Sequence, residues 1–272
     1  MLDDGLRGMA AEHDLIHGAE YDTALVHACP PGHFLVSFRL AEENCGVMPE
    51  SQTETRSAAP VTLYGRYASP FVRRVAVTLQ LYGIGYRHVP LMPFGPDKAE
   101  LANLNPIARV PALQLADGEI LIDSAAILDH LDQEAGPAHA LTPASGAARR
   151  RVLALLAVAL GANEKLVASL YERHFRPREA WNAPWLATCD KQVRDGFVWL
   201  DGQMTGPWFL GRRMTQADIT IAVFWLFARG KRPNFFGGLG CKRLNELADR
   251  LQTTPAFAAT MPEPETLTNA LS

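Results

Sequence analysis

The sequence predicts a small α/β unit built on one mixed sheet, followed by an all-helical unit, with a segment of different character ahead of both. Three observations carry this. Over 61–134, short β-branched and apolar runs alternate with a helical apolar face in the order β-α-β and then β-β-α, which places mixed strands in one sheet with helices against it. From about residue 146 onwards nearly every apolar stretch has helical spacing. Residues 1–60 sustain neither period.

The first segment holds ten acidic and three basic residues, half of the eight histidines and two of the four cysteines. Phe34-Leu35-Val36-Ser37-Phe38 has the composition of one short strand, and His27, Cys29, His33 and Cys45 match no familiar zinc spacing. With the polar tract 49–60, residues 1–60 read as a poorly ordered extension and linker.

The α/β unit spans 61–136. A strand over 61–64 is broken by Gly65, and Ser69-Pro70 opens a helix over 70–82 with Val72, Val75, Ala76 and Leu79 on one face. Gly83 and Gly85 close it. A strand follows over 86–91, then an irregular or weakly helical stretch over 92–104. Strands over 112–115 and 120–122 pair through an Ala-Asp-Gly-Glu turn, and a helix runs from 125 to about 134. Gly136-Pro137 begins a linker. The helical unit spans 146–262: Val152, Leu155, Ala159, Leu166 and Leu170 share a face, as do Val193, Phe197 and Leu200. The stretch 219–228 is apolar nearly all round and so belongs at the centre of a bundle. A last helix over 244–251 precedes the tail, 263–272.

Composition narrows the function. Of 272 residues, 48% are hydrophobic and 20% charged, with a formal charge of −3, which argues against a nucleic-acid partner or an anionic membrane. The body after residue 60 has nineteen acids against twenty-three basic residues, a balance suited to a small anionic ligand. The longest apolar run, 152–160, falls short of the about 20 residues needed to span a bilayer. No secretory leader pattern is present, and the four cysteines, lacking any C-x-x-C, fit a reducing compartment, so the cytoplasm is the expected location.

Three stretches carry chemistry. Ser69, a favoured N-cap before a proline, belongs at the positive end of its helix, where a hydroxyl among unsatisfied N–H groups holds an anion such as a thiolate or simply caps the helix. Asn105-Pro106-Ile107-Ala108-Arg109-Val110-Pro111-Ala112-Leu113 sets a proline directly before a strand. A cis Val110–Pro111 bond would turn the Val110 N–H and C=O outwards, ready to pair with an extended peptide; a trans proline would merely start the strand. At Asp123-Ser124, Ser124 caps a helix whose free N–H groups suit a carboxylate, and Asp123 suits an ammonium group.

S-P-F-V-R-R-V at 69–75, N-P-I-A-R-V-P-A-L at 105–113, D-S-A-A-I-L at 123–128 and T-Q-A-D-I at 215–219, in this order and spacing, resemble the cytosolic glutathione S-transferase superfamily over about 61–262. The chain is similar to serine-type, bacterial-like members. The resemblance implies a thioredoxin-like first unit that binds glutathione and an all-α bundle that lines the site for a small hydrophobic electrophile. It implies a cis Val110–Pro111 bond and glutathione contacts from Ser69, Val110–Pro111, Asp123 and Ser124, with Arg109 at the glycyl carboxylate. It also implies glutathione as co-substrate, no metal, a homodimer and a role in detoxification. Glutathione-dependent dehalogenase, peroxidase, isomerase or a non-catalytic binder are the alternatives on the same site.

Tyr67, in the loop before Ser69, rivals it for the thiolate, whereas Tyr64 lies within the strand and reads as core. Position 69 is not a cysteine, which speaks against the thiol-oxidoreductase classes. Arg73 and Arg74 read as a solvated or packed face. Thr215 and Asp218 have the spacing of a capping box. Tyr171, His174, Phe175, Trp181, Trp225 and Phe236 are candidates for the second-substrate wall, although large side chains at helical spacing more often form core. Met48 is a second candidate for the translation start; mass spectrometry of the native protein detecting any peptide from before Met48 excludes it.

Overall fold

Four strands form one sheet in the order β2-β1-β3-β4, and the chain reaches them as its alternating pattern predicts. The computed structural model describes residues 61–263. The set His27, Cys29, His33 and Cys45, the run 34–38, Met48 and residues 264–272 lie outside the described residues. Strand β1 (Val61–Tyr64) leads through helix α1 (Pro70–Leu81) to β2 (Tyr86–Val89), which pairs with β1 in parallel. Antiparallel pairing of β1 with β3 (Ala112–Gln114), and of β3 with β4 (Ile120–Ile122), sets Tyr64 opposite Ala112 and Ala112 opposite Ile122.

Local chemistry sets the boundaries. At the end of α1, Gly83 takes φ of +67° while its N–H bonds Gln80 C=O and the Ile84 N–H bonds Leu79 C=O, a left-handed helix stop that glycine accepts without steric cost. Strand β2 ends at Val89, before Pro90, which has no N–H to offer the ladder. The stretch expected to be irregular or weakly helical contains α2 (Lys98–Leu104) behind a single 3₁₀ turn. Helix α3 (Ser124–Ala135) starts one residue earlier than expected, and its N-cap is Asp123, not Ser124 as the sequence suggested: the Asp123 carboxylate accepts the Ala125 N–H at 2.7 Å.

The helical half comprises α4 (Gly146–Phe175), α5 (Ala183–Gln203), α6 (Gln216–Lys231), α7 (Pro233–Gly237), α8 (Lys242–Gln252) and α9 (Pro255–Ala258). By length and composition α4 is apolar enough to cross a bilayer. Its apolar stripe is covered instead by α5 and α6, while Arg149, Glu164 and Arg173 occupy its other faces. Helix α6 is buried almost throughout, as its all-round apolar sequence predicts. Thr215 and Asp218 form the expected capping box, with the Thr215 N–H and hydroxyl both donating to Asp218 Oδ2 at 2.8 Å. The other carboxylate oxygen accepts the Phe209 N–H at 2.9 Å. Burial pushes this carboxyl above the usual range and those bonds pull it back.

The two halves share α1. Val72, Val75, Ala76 and Leu79 fill the core against the sheet and α3, whereas Phe71 and Val77 belong to the core of the helical half. The connection after α3 is clamped by buried Asp132, whose carboxylate receives the Tyr82 hydroxyl, the Leu141 N–H at 2.9 Å and the Thr142 N–H at 3.1 Å. The capping box supports the helix at the centre of this assembly. Asp218→Ala strands the Thr215 and Phe209 N–H groups and is expected to cost about 3 kcal/mol, read as a fall of roughly 6–12 °C in the thermal midpoint.

Candidate functional site

The loop between β1 and α1 is held on β2. The Gly65 N–H bonds Val89 C=O at 2.8 Å, a His88 ring nitrogen meets Gly65 C=O at 2.7 Å, and Arg66 donates to Pro90 C=O at 3.3 Å. Tyr67 stacks flat on His88 with ring centres 4.0 Å apart, and its hydroxyl lies 2.8 Å from that of Tyr86. Burial, then the Tyr86 hydroxyl, raise the Tyr67 pKa well above the ordinary tyrosine value. Tyr64 is core, with its hydroxyl on Gln114 at 3.1 Å.

This anchoring leaves Ser69 at the mouth of α1. Ser69 occupies the N-cap position with extended backbone, yet its side chain makes no capping bond and lines a cavity of 790 Å³ instead. Beside it runs the Asn105–Pro111 loop, with Val110–Pro111 in the cis form. Buried Asn105 braces that loop from within: its side-chain amide donates to Arg109 C=O at 3.0 Å and its Oδ1 accepts the Ile107 N–H at 3.1 Å. Among the described residues, the Val110 N–H and C=O have no hydrogen bond within the chain. Loop and helix mouth meet at Gly65, where an added Cβ would lie 2.6 Å from Val72 Cγ2 and 2.8 Å from Val110 Cβ.

Ala108, Arg109 and Val110 therefore share the cavity with Ser69, while Pro111 is buried behind them. Arg109 reaches across to α4 and holds Glu164 with Nη2–oxygen distances of 3.0 and 3.3 Å, both side chains about half exposed at 53% and 45%. Asp123 and Ser124 are not in the cavity wall. They sit at the start of α3, joined to α1 through Arg74, whose Nη2 donates to Ser124 Oγ at 2.7 Å. Asp123 carries φ of +67° and an exposed carboxylate, while Ser124 is buried. Arg73 and Arg74 are packed, not solvated, and burial lowers both guanidinium pKa values to about 10, with Asp123 acting in the opposite sense on Arg74.

The far wall comes from the helical half. Tyr171, His174 and Phe175 of α4 line the cavity as proposed from the sequence, with Phe227 and Lys231 of α6 beside them. Phe94, from the loop after β2, closes edge-on to Phe175 at 5.9 Å. Trp225 and Phe236 pack with Phe197 in the core, and Trp181 donates its indole N–H to Arg176 C=O near the end of α4. Sequence reasoning missed Asn105, Lys231 and the Gly65 contact. The glycine directly after β1 is the available signal for the last of these.

A thioredoxin-like sheet unit carrying a serine at a helix mouth beside a cis-proline loop, roofed by a helical unit, defines a recognisable class. Residues 63–139 match the family model for the glutathione S-transferase N-terminal domain. The chain is 32% identical over 161 residues to the uncharacterized GST-like protein YncG of Escherichia coli K12, covering 56% of this chain and 75% of that one. It is 29% identical over 225 residues to a probable maleylacetoacetate isomerase of Vibrio cholerae, covering 74% and 95%. A glutathione transferase family member from Pseudomonas fluorescens Pf-5, solved with bound glutathione, superposes with a TM-score of 0.66 at 30% identity, covering 75% of this chain and 99% of that one. The chain belongs to the cytosolic glutathione S-transferase superfamily.

Gly65→Ala tests how tightly helix mouth and loop are joined. A methyl group there must displace Val72 or Val110, at φ of +118°, and is expected to cost about 2–4 kcal/mol, measured as a lower urea midpoint.

Proposed function

We propose that the protein is a glutathione S-transferase in which Ser69 stabilises the bound thiolate. In this reading residues 61–136 hold the peptide and residues 146–262 hold the electrophile. The observation that carries it is the Ser69 hydroxyl: it stands at a helix N-terminus, is not used for capping, and lines the same cavity as Val110. The Val110 N–H and C=O pair with the cysteinyl backbone of glutathione as an added strand would. Outside the cavity wall, at the start of α3, the exposed Asp123 carboxylate is the group proposed for the γ-glutamyl ammonium and the helix N-terminus at Ser124 for its carboxylate, and Arg109 takes the glycyl carboxylate by exchanging its bond to Glu164.

The chemistry is a matter of acidity. A free thiol titrates near ~8.5, so only a few per cent is thiolate at neutral pH, and each unit of depression requires about 1.4 kcal/mol of preference for the anion. A charge-assisted bond from the Ser69 hydroxyl with the end of α1 supplies about 1.5–3 kcal/mol, enough to lower the pKa by one to two units. The thiolate then attacks an electrophilic carbon held between α4 and α6; the C–S bond forms as the leaving group departs with its electron pair. Tyr67 is the weaker candidate because its hydroxyl is engaged by Tyr86.

The Vibrio relative supports a second reading, glutathione-dependent isomerisation. Stoichiometry separates the two, since transfer consumes glutathione mole for mole and isomerisation returns it. We extend the proposal to a homodimer, as the family resemblance implies, located in the cytoplasm, as the cysteine pattern suggests.

Ser69→Ala is expected to lower turnover with a halogenated nitroaromatic acceptor at least about tenfold while glutathione affinity changes less than about threefold. Tyr67→Phe is expected to change turnover less than about threefold. An unchanged rate in Ser69→Ala, or a collapse in Tyr67→Phe alone, overturns the assignment of Ser69.

A further inference from the structure

Arg74 is a buried cation with few partners. Its Nη2 donates to Ser124 Oγ at 2.7 Å and its guanidinium lies 5.7 Å from the centre of the Phe224 ring on α6. Its Nε has no hydrogen bond among the described residues. Ser124 is a neutral acceptor, and Asp123 is the carboxylate whose charge acts on Arg74. A guanidinium so placed has lost hydration without full compensation, and an anion brought close to it recovers part of that loss.

The direction of the bond to Ser124 says what can bind beside it. A guanidinium only donates, so the Ser124 oxygen is the acceptor and its own O–H is left to donate. Among the described residues that O–H has no acceptor. Ser124 is buried, yet Asp123 and Ala125 on either side of it in the chain are exposed. A hydroxyl fixed as a donor beside a cation suits a carboxylate and disfavours an ammonium group.

The end of α3 does not supply this selectivity alone. Asp123 already caps it, accepting the Ala125 N–H at 2.7 Å, so its charge offsets the positive helix end and opposes a second carboxylate. Arg74 restores the sign beside Ser124, while the exposed carboxylate of Asp123 remains for an ammonium group. The two ends of an α-amino acid are thereby told apart over neighbouring residues.

We infer that Arg74, reaching from α1, sets Ser124 as the donor that selects the α-carboxylate of the γ-glutamyl group. The inference rests on the glutathione reading above. Arg74 acts through Ser124 and touches no ligand atom itself. The competing role, a cation that only packs α1 against Phe224 and α3, affects stability and all ligands alike.

The test uses the full chain and three thiol peptides, with dissociation constants measured by calorimetry. These are glutathione, 4-aminobutyryl-cysteinylglycine, which lacks only the α-carboxylate, and glutaryl-cysteinylglycine, which lacks only the α-ammonium group. The wild type is expected to prefer glutathione to the decarboxylated peptide at least about tenfold, and Arg74→Met to reduce that preference below about threefold. The preference over the glutaryl peptide reports Asp123 and is expected to stay within about twofold of wild type in Arg74→Met. A preference over the decarboxylated peptide that stays above about threefold in this variant overturns the inference, as does a parallel loss of both preferences. If Arg74→Met shows no cooperative thermal transition, Ser124→Ala decides: loss confined to the decarboxylated comparison supports the inference, and a surviving preference overturns it. Equal binding of glutathione and the decarboxylated peptide by the wild type overturns the inference and leaves the thiolate role of Ser69 standing. Failure of glutathione to bind the wild type overturns the glutathione reading and the inference with it.

Discussion

The contact on which the site depends is the one between Gly65, Val72 and Val110. The turn after β1 must pass so close to the cis-proline loop that no side chain fits between them, and this fixes the helix mouth relative to the loop. Everything polar in the wall follows. The turn is pinned to β2 by backbone and His88 bonds, so the chain enters α1 at a set angle with Ser69 turned away from its own helix. Asn105 braces the loop from the other side, and among the described residues the Val110 peptide groups have no hydrogen-bond partner. A short pairing edge and a hydroxyl at a helix end are thereby held in one cavity by packing, before any ligand contributes.

Much of this was legible in the sequence because it is written in local chemistry. The strands and long helices follow from their apolar periods, and Thr215 and Asp218 announce a capping box through side chains that satisfy nearby N–H groups. Ser69, Arg109 and Val110 line one cavity, whereas Asp123 and Ser124, which the motif order grouped with them, lie outside its wall. The assignment of the α3 cap failed because Asp and Ser are equally good capping residues, and only the positive φ of Asp123 decides which side chain faces the Ala125 N–H. Short helices such as α2 and α7 carry too few turns to display a period.

Features that depend on the partner half were illegible. Arg73 and Arg74 read equally as a solvated or a packed face, and only the structure decides: α6 and α9 cover them, their guanidinium groups sit against Phe257 and Phe224, and among the described residues each retains an Nε atom with no hydrogen bond. Arg109 likewise finds Glu164 fifty-five residues away on α4. No spacing rule connects such positions. Buried cations of this kind contribute little net stability but penalise any arrangement in which their few partners are missing.

Helix α1 is consequently an element with two owners. One face completes the sheet core, and the other supplies Phe71, Val77 and Arg73 to the helical half, where Arg73 donates to Phe257 C=O close to the end of the described chain. The natural seam for exchanging acceptor specificity between relatives is therefore not the linker after α3. A chimera joined there would set foreign helices on an α1 face shaped for these ones, so a workable graft of the helical half has to bring that face of α1 with it.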